Sequence, residues 1–156
     1  MSPARASIAK LLVVGLVALA LSGCAAGADM TGSPSHRMRA WTRATGVARS
    51  SNVLLQDAAR IMKLAGGNDP TAVKTACLVL SNDAEAANTE LPTPDHAATL
   101  DLSKAYSDYY SVAVDCYHDA GVPARKMAFT HALGLLSTAN SDLLAATKRM
   151  QALERG

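Results

Sequence analysis

Residues 70–119 read PTAVKTACLVLSNDAEAANTELPTPDHAATLDLSKAYSDYYSVAVDCYHD. Apolar or small residues recur there every three or four positions. The first series is Val73, Cys77, Leu80, Ala84, Ala87 and Leu91. The second is Ala98, Leu102, Ala105, Tyr109, Val112 and Cys116. Each is the stripe of an amphipathic helix. Asp69-Pro70 suits an N-cap with proline at the first helical position. Pro92-Thr93-Pro94-Asp95 separates the two stripes, and Gly121 ends the second. No window alternates with period two, so the reading is helix and not strand.

Both cysteines of this stretch lie on the stripes. If Cys77 and Cys116 face each other across an antiparallel pair, opposed residue numbers sum to 193. Leu91 then meets Leu102, Ala84 meets Tyr109, and Leu80 lies near Val112 and Ala113. One register joins the sulfurs and aligns the stripes. It leaves residues 92–101 as the connection, part of it an extra helical turn. The expectation is a disulfide, closing a loop of about forty residues and contributing roughly 4 kcal/mol on the loop-entropy model. The alternatives are two buried free thiols or a cysteine-based metal site, for which histidines at zinc-finger spacing are lacking.

Outward from this stretch, residues 36–65 carry a third stripe: Ala40, Ala44, Val47, Ser51, Leu54, Ala58, Ile61 and Ala65. Ser50-Ser51-Asn52 weakens it and is the expected place for a kink. A fourth opens at Pro123 and runs through Phe129, Ala132, Leu136, Ala139, Leu143, Ala146, Met150 and Leu153. Alanine supplies 31 of 156 residues, which favours helix over sheet. The expected fold is all-α: one antiparallel four-helix bundle over residues 36–156 with one interhelical disulfide.

The N-terminus reads as an address. Arg5 and Lys10 precede an eleven-residue apolar run, residues 11–21, too short to span a bilayer and of signal-peptide length. Leu21-Ser22-Gly23-Cys24 resembles the lipobox of bacterial lipoprotein precursors. That resemblance implies diacylglyceryl transfer to Cys24 and cleavage of residues 1–23 as a signal peptide. Residues 24–35 then form a lipidated, flexible tether. The implied place is extracytoplasmic, anchored to the cell membrane through the lipid on Cys24. An ordinary secretory peptide that happens to end near a cysteine is the plainer alternative. Within residues 70–120, Ala76-Cys77, Leu91-Pro92-Thr93-Pro94-Asp95, Tyr109 and Cys116 look like small helical lipoproteins of high-GC Gram-positive bacteria. This weaker resemblance implies a helical bundle with a cystine and carries no activity or functional residues.

Charge is patterned although it cancels beyond the signal peptide. Residues 24–66 sum to +4, residues 67–120 to −7 and residues 121–156 to +3. This balance, with a single Phe and a single Trp, excludes a strongly basic or aromatic-rich nucleic-acid-binding surface. Acidic and basic segments can complement each other inside the fold, and Arg37, Arg39 and Arg43 would lie nearest to anionic headgroups.

Specific chemistry is sparse. Asp115, His118 and Asp119 share one helix side, with His131 across the following turn, and form the one candidate cation set. Asp95-His96 is an unremarkable pairing in a Pro-rich loop. No nucleophile-elbow, phosphate-loop, dinucleotide or C-x-x-C motif occurs. Neither catalysis nor a cofactor is expected. Tyr106, Tyr110 and Tyr117 fall off the core stripe and form a candidate binding patch. The functional expectation is therefore a lipid-anchored, non-enzymatic binding or accessory module that meets another envelope protein. The alternatives are a carrier holding a small lipid or amphiphile in the bundle core and, behind it, an envelope metal-binding protein.

Overall fold

The computed structural model describes residues 31–156. Cys24, the lipobox and the signal peptide lie outside the described residues. Five α-helices follow in order: α1 (Pro34–Thr45), α2 (Val47–Ala65), α3 (Pro70–Asn88), α4 (His96–Asp119) and α5 (Lys126–Arg155). A 3-10 turn, Pro123–Arg125, precedes α5. No strand occurs among the described residues, and no helix among them is long and apolar enough to cross a membrane.

Local chemistry explains the starts. Ser33, Asp69 and Asp95 cap α1, α3 and α4 by accepting hydrogen bonds from first-turn amides. Pro34 and Pro70 take the first helical positions. Helix α1 thus begins two residues before the expected His36.

The segment expected as one helix over residues 36–65 is two. The break falls at Gly46, with φ +73°, and not at Ser50-Ser51-Asn52. Gly46 donates its N–H to Thr42 O at 3.1 Å and so closes α1 in the left-handed conformation that glycine adopts without a Cβ penalty. The break resets the rotational phase of α1. It buries Met38 and Trp41, while Ala44 is exposed. Downstream of the break, Val47, Ser51, Leu54, Ala58 and Ile61 are buried as expected.

The connection between α3 and α4 is shorter than residues 92–101. Helix α4 already begins at His96, because Asp95 caps it and Thr93 and Thr99 tie the loop to its first turn. The expected extra turn is therefore the start of α4 itself. Cys77 and Cys116 form a disulfide with Cα atoms 6.0 Å apart.

Packing brings α2 to α3, α3 to α4, α4 to α5, and α1 to α5. Ser50 meets Glu90 and Asp57 meets Asp83. Cys77 meets Cys116, Tyr109 meets Asn140, and Asp101 meets Arg149. Between α2 and α3, and between α4 and α5, the numbers rise along one helix as they fall along the other. Leu80, Leu102, Leu136 and Leu143 are fully buried, separated by alanines such as Ala84, Ala105 and Ala139 that let the helices approach closely.

Candidate functional site

The outer side of α3 and α4 gathers what the sequence offers for recognition. At helical spacing, Lys74, Leu78, Glu85 and Asn88 form one stripe on α3, and Ser103, Ser107, Tyr110 and Tyr117 form one on α4. The stripes border each other. Lys74 Nζ lies 5.9 Å from the centre of the Tyr117 ring, a cation–π contact. At the other end, Glu85 and Asn88 with Ser103, Ser107 and Tyr110 line a surface groove of about 310 Å³ floored by Ala84 and Tyr106. Tyr110, Tyr117 and Leu78 are each more than two-fifths exposed.

Of the three tyrosines expected in this patch, Tyr110 and Tyr117 are on the surface. Tyr106 is not: it is 1% exposed and belongs to the core. Helix α4 packs against more than one neighbour, so its buried arc is wider than a two-position seam and takes in Tyr106 and Ala113 beside the stripe.

The candidate cation set does not converge. Asp115 and His118 are exposed, and the His118 ring meets the Tyr117 ring edge-on at 5.5 Å. Asp119 is nearly buried, and its Oδ1 accepts from the Arg125 guanidinium at 3.1 Å. That carboxylate already has its cation. His131 is exposed on α5, beside a separate hollow shared with Lys126, Met127 and Leu135. Among the described residues, no three His, Cys, Asp or Glu side chains are grouped to hold a metal ion.

A polar seam that the sequence did not disclose runs between α2 and α3. Ser50 Oγ donates to Glu90 Oε1 at 2.7 Å, while Glu90 Oε2 is buried without a hydrogen-bond partner. Burial raises the Glu90 carboxyl, and the Ser50 hydroxyl offsets part of the rise. One helical stretch away, Asp57 faces Asp83. Burial, the hydrogen-bonding proximity of Asp83 and its charge push Asp57 up to about 6, against the lowering effect of Arg60. Two carboxylates are acceptors only, so a shared proton satisfies both. The Tyr106 hydroxyl enters this region from α4. Burial pushes it up to about 12, the nearby Ser51 hydroxyl offsets part of that, and the charge of Glu90 adds to it. Asp57 and Asp83 each precede a stripe alanine, Ala58 and Ala84. That adjacency was the available signal, but it does not say which flank of a helix meets its neighbour.

Ion pairs join α4 to α5. Arg149 reaches Asp101 at 3.2 Å and Asp95 at 3.9 Å, in keeping with an acidic α4 against a basic α5. Lys104 reverses the signs, reaching Asp142 at 2.5 Å while also holding Asp108. All four pairs are largely surface-exposed and contribute little each. No known protein family, curated protein or solved structure matches this chain.

Proposed function

We propose that this chain is a lipid-anchored protein of the bacterial cell envelope that acts as a non-enzymatic binding or accessory module. Its helices form an antiparallel bundle of four arms, with α1 and α2 together as the broken first arm. The outer α3–α4 face receives another protein. The observation that carries this reading is the exposed Tyr110, Tyr117 and Leu78 beside a polar-rimmed groove. Tyrosine supplies contact area with few rotors to immobilise, and the hydroxyl and amide groups of the rim supply direction. The lipobox-like Leu21-Ser22-Gly23-Cys24 supports the anchor. Two or more acyl chains hold a protein stably on a membrane, which one chain does not.

The carrier reading asks for an enclosed apolar cavity. The groove between α3 and α4 and the hollow beside His131 both open to solvent, and the alanine seams draw the helices together.

Two measurements test the proposal. Metabolic labelling with a fatty-acid analogue should mark the chain and be lost in Cys24→Ala; label retained in that variant removes the anchor. A photo-crosslinking residue placed at Tyr110 or Leu78 in intact cells should give a discrete protein adduct, and one placed at Met62 on α2 should not. Equal adducts from both faces would defeat the binding face. Lipid retained in native mass spectra would transfer the function to the carrier reading.

A further inference from the structure

Helix α1 carries Arg37, Arg39 and Arg43 and no acidic residue. Its two buried side chains, Met38 and Trp41, are committed to the core. Arg39 and Arg43, four residues apart, share the side of the helix turned away from that core, and Arg37 lies on a flank. None of the three belongs to an ion pair among the described residues. Arg37 donates to Gly32 O at 3.2 Å, and Arg39 donates to Glu154 O. Carbonyl partners orient a guanidinium and leave its charge uncompensated.

The same end of the molecule adds further positive charge. Arg39 joins α1 to the last turn of α5, where Arg155 is exposed and Gly156 lies against Ser35, and Lys148 is exposed about two turns earlier on the same helix. Acidic groups there are few. Glu154 is partly buried, and Asp95 and Asp101 are engaged by Arg149. The backbone enters the described fold at this end, at Thr31. Pro34 lies ten positions after Cys24, a span of at most roughly 36 Å.

We propose that the arginine side of α1, with the C-terminal turn of α5, is a face that rests on anionic lipid headgroups. The inference rests on the reading that the chain is anchored through Cys24, and it adds an orientation. The basic end faces the bilayer, while the acidic α3–α4 hairpin presents Tyr110 and Tyr117 elsewhere on the molecule. With Met38 and Trp41 buried, α1 has no apolar face to insert. The contact is one of charge, and salt screens it.

The test uses the full chain carrying Cys24→Ser, so that no acyl chain contributes. Sedimentation with vesicles of phosphatidylcholine and phosphatidylglycerol at 7:3 is compared with phosphatidylcholine alone. The excess partitioning onto the anionic vesicles is the readout, and the first thirty residues are common to every variant. Removing all three charges (Arg37→Gln, Arg39→Gln, Arg43→Gln) should lower that excess on the order of a hundredfold at 0.1 M salt, about fivefold per arginine, and much less at 0.5 M. The corresponding triple lysine variant should restore it, and circular dichroism confirms that each variant is folded. A control losing the same charge elsewhere (Lys63→Gln, Lys74→Gln, Lys126→Gln) should lose far less.

Equal losses in the two neutralised variants would reduce the effect to net charge and overturn the proposal. Equal binding to the two vesicle types, or capture by poly-glutamate with no vesicle preference, would overturn it as well. Fatty-acid labelling decides the anchor separately. A lipidated chain without vesicle preference refutes this face alone, and a preference in a chain that is never labelled refutes the anchor alone.

Discussion

At Asp57 the chain places a carboxyl against a second carboxyl, Asp83, in the joint between α2 and α3. Burial and the neighbouring acid raise Asp57 to about 6, well above its value in an unfolded chain. The folded state therefore holds its proton more tightly than the unfolded state does. The stabilisation from this proton is complete below about pH 4 and is lost as the pH rises through 6. Glu90 is shifted in the same direction. Replacing Asp57 by asparagine puts an N–H donor, in place of a second acceptor, against Asp83. Thermal unfolding of Asp57→Asn should show a midpoint a few degrees above wild type at pH 7, corresponding to about 1 kcal/mol. At pH 4.5 the two midpoints should nearly coincide. A variant less stable than wild type at pH 7 would contradict this account of the pair.

Among the elements, two glycines set how the helices join and do so differently. Gly46 separates α1 from α2 with φ +73°, and open space surrounds the position where a Cβ would stand. Gly46→Ala should cost about 1 kcal/mol, the backbone term alone. Gly121 has φ +75°, and a Cβ there would run into the ring of Pro70 at the start of α3. Gly121→Ala bears the same backbone term and a steric one, because the loop after α4 lies directly on the capped end of α3. Its cost should exceed 2 kcal/mol. Denaturant titrations of the two variants check the order; a larger loss at Gly46 would show that this packing is not what makes Gly121 necessary.

For the molecule as a whole, the disulfide ties its most acidic segment together. Cys77 and Cys116 are both essentially inaccessible, and 39 positions separate them in sequence. Cys77→Ala/Cys116→Ala should lower stability by about 4 kcal/mol through the larger freedom of the unfolded chain. That is a large share of the total for a domain of this size. The helical circular-dichroism signal should persist at 25 °C while the urea midpoint falls, and reduction of the wild-type chain should reproduce the shift. A variant with an unchanged midpoint would mean that the packing of α3 on α4 already supplies the constraint.

Much of this architecture was present in the order of residues. A period between three and four with alanine at alternate contacts can bury one side of a helix and little else. For α2, α3, α4 and α5, the stripes from Val47 to Met150 are indeed the buried sides. Cap chemistry is equally local, so Asp69-Pro70 marked the start of α3 directly. The cysteine pair was legible because one register satisfied both the sulfurs and the stripes. Periodicity, however, gives the rotation of a helix about its own axis and not the number of its neighbours. That is why Tyr106 reads as a surface residue and is buried, and why Asp57 and Asp83 carry no sign of meeting. A single glycine in the left-handed conformation changed which side of α1 turns inward, since a few degrees of freedom at one residue reorient everything before it. The exposed α3–α4 face and the arginine end exist only once five helices are packed, because each draws its residues from separate elements that chain order keeps apart.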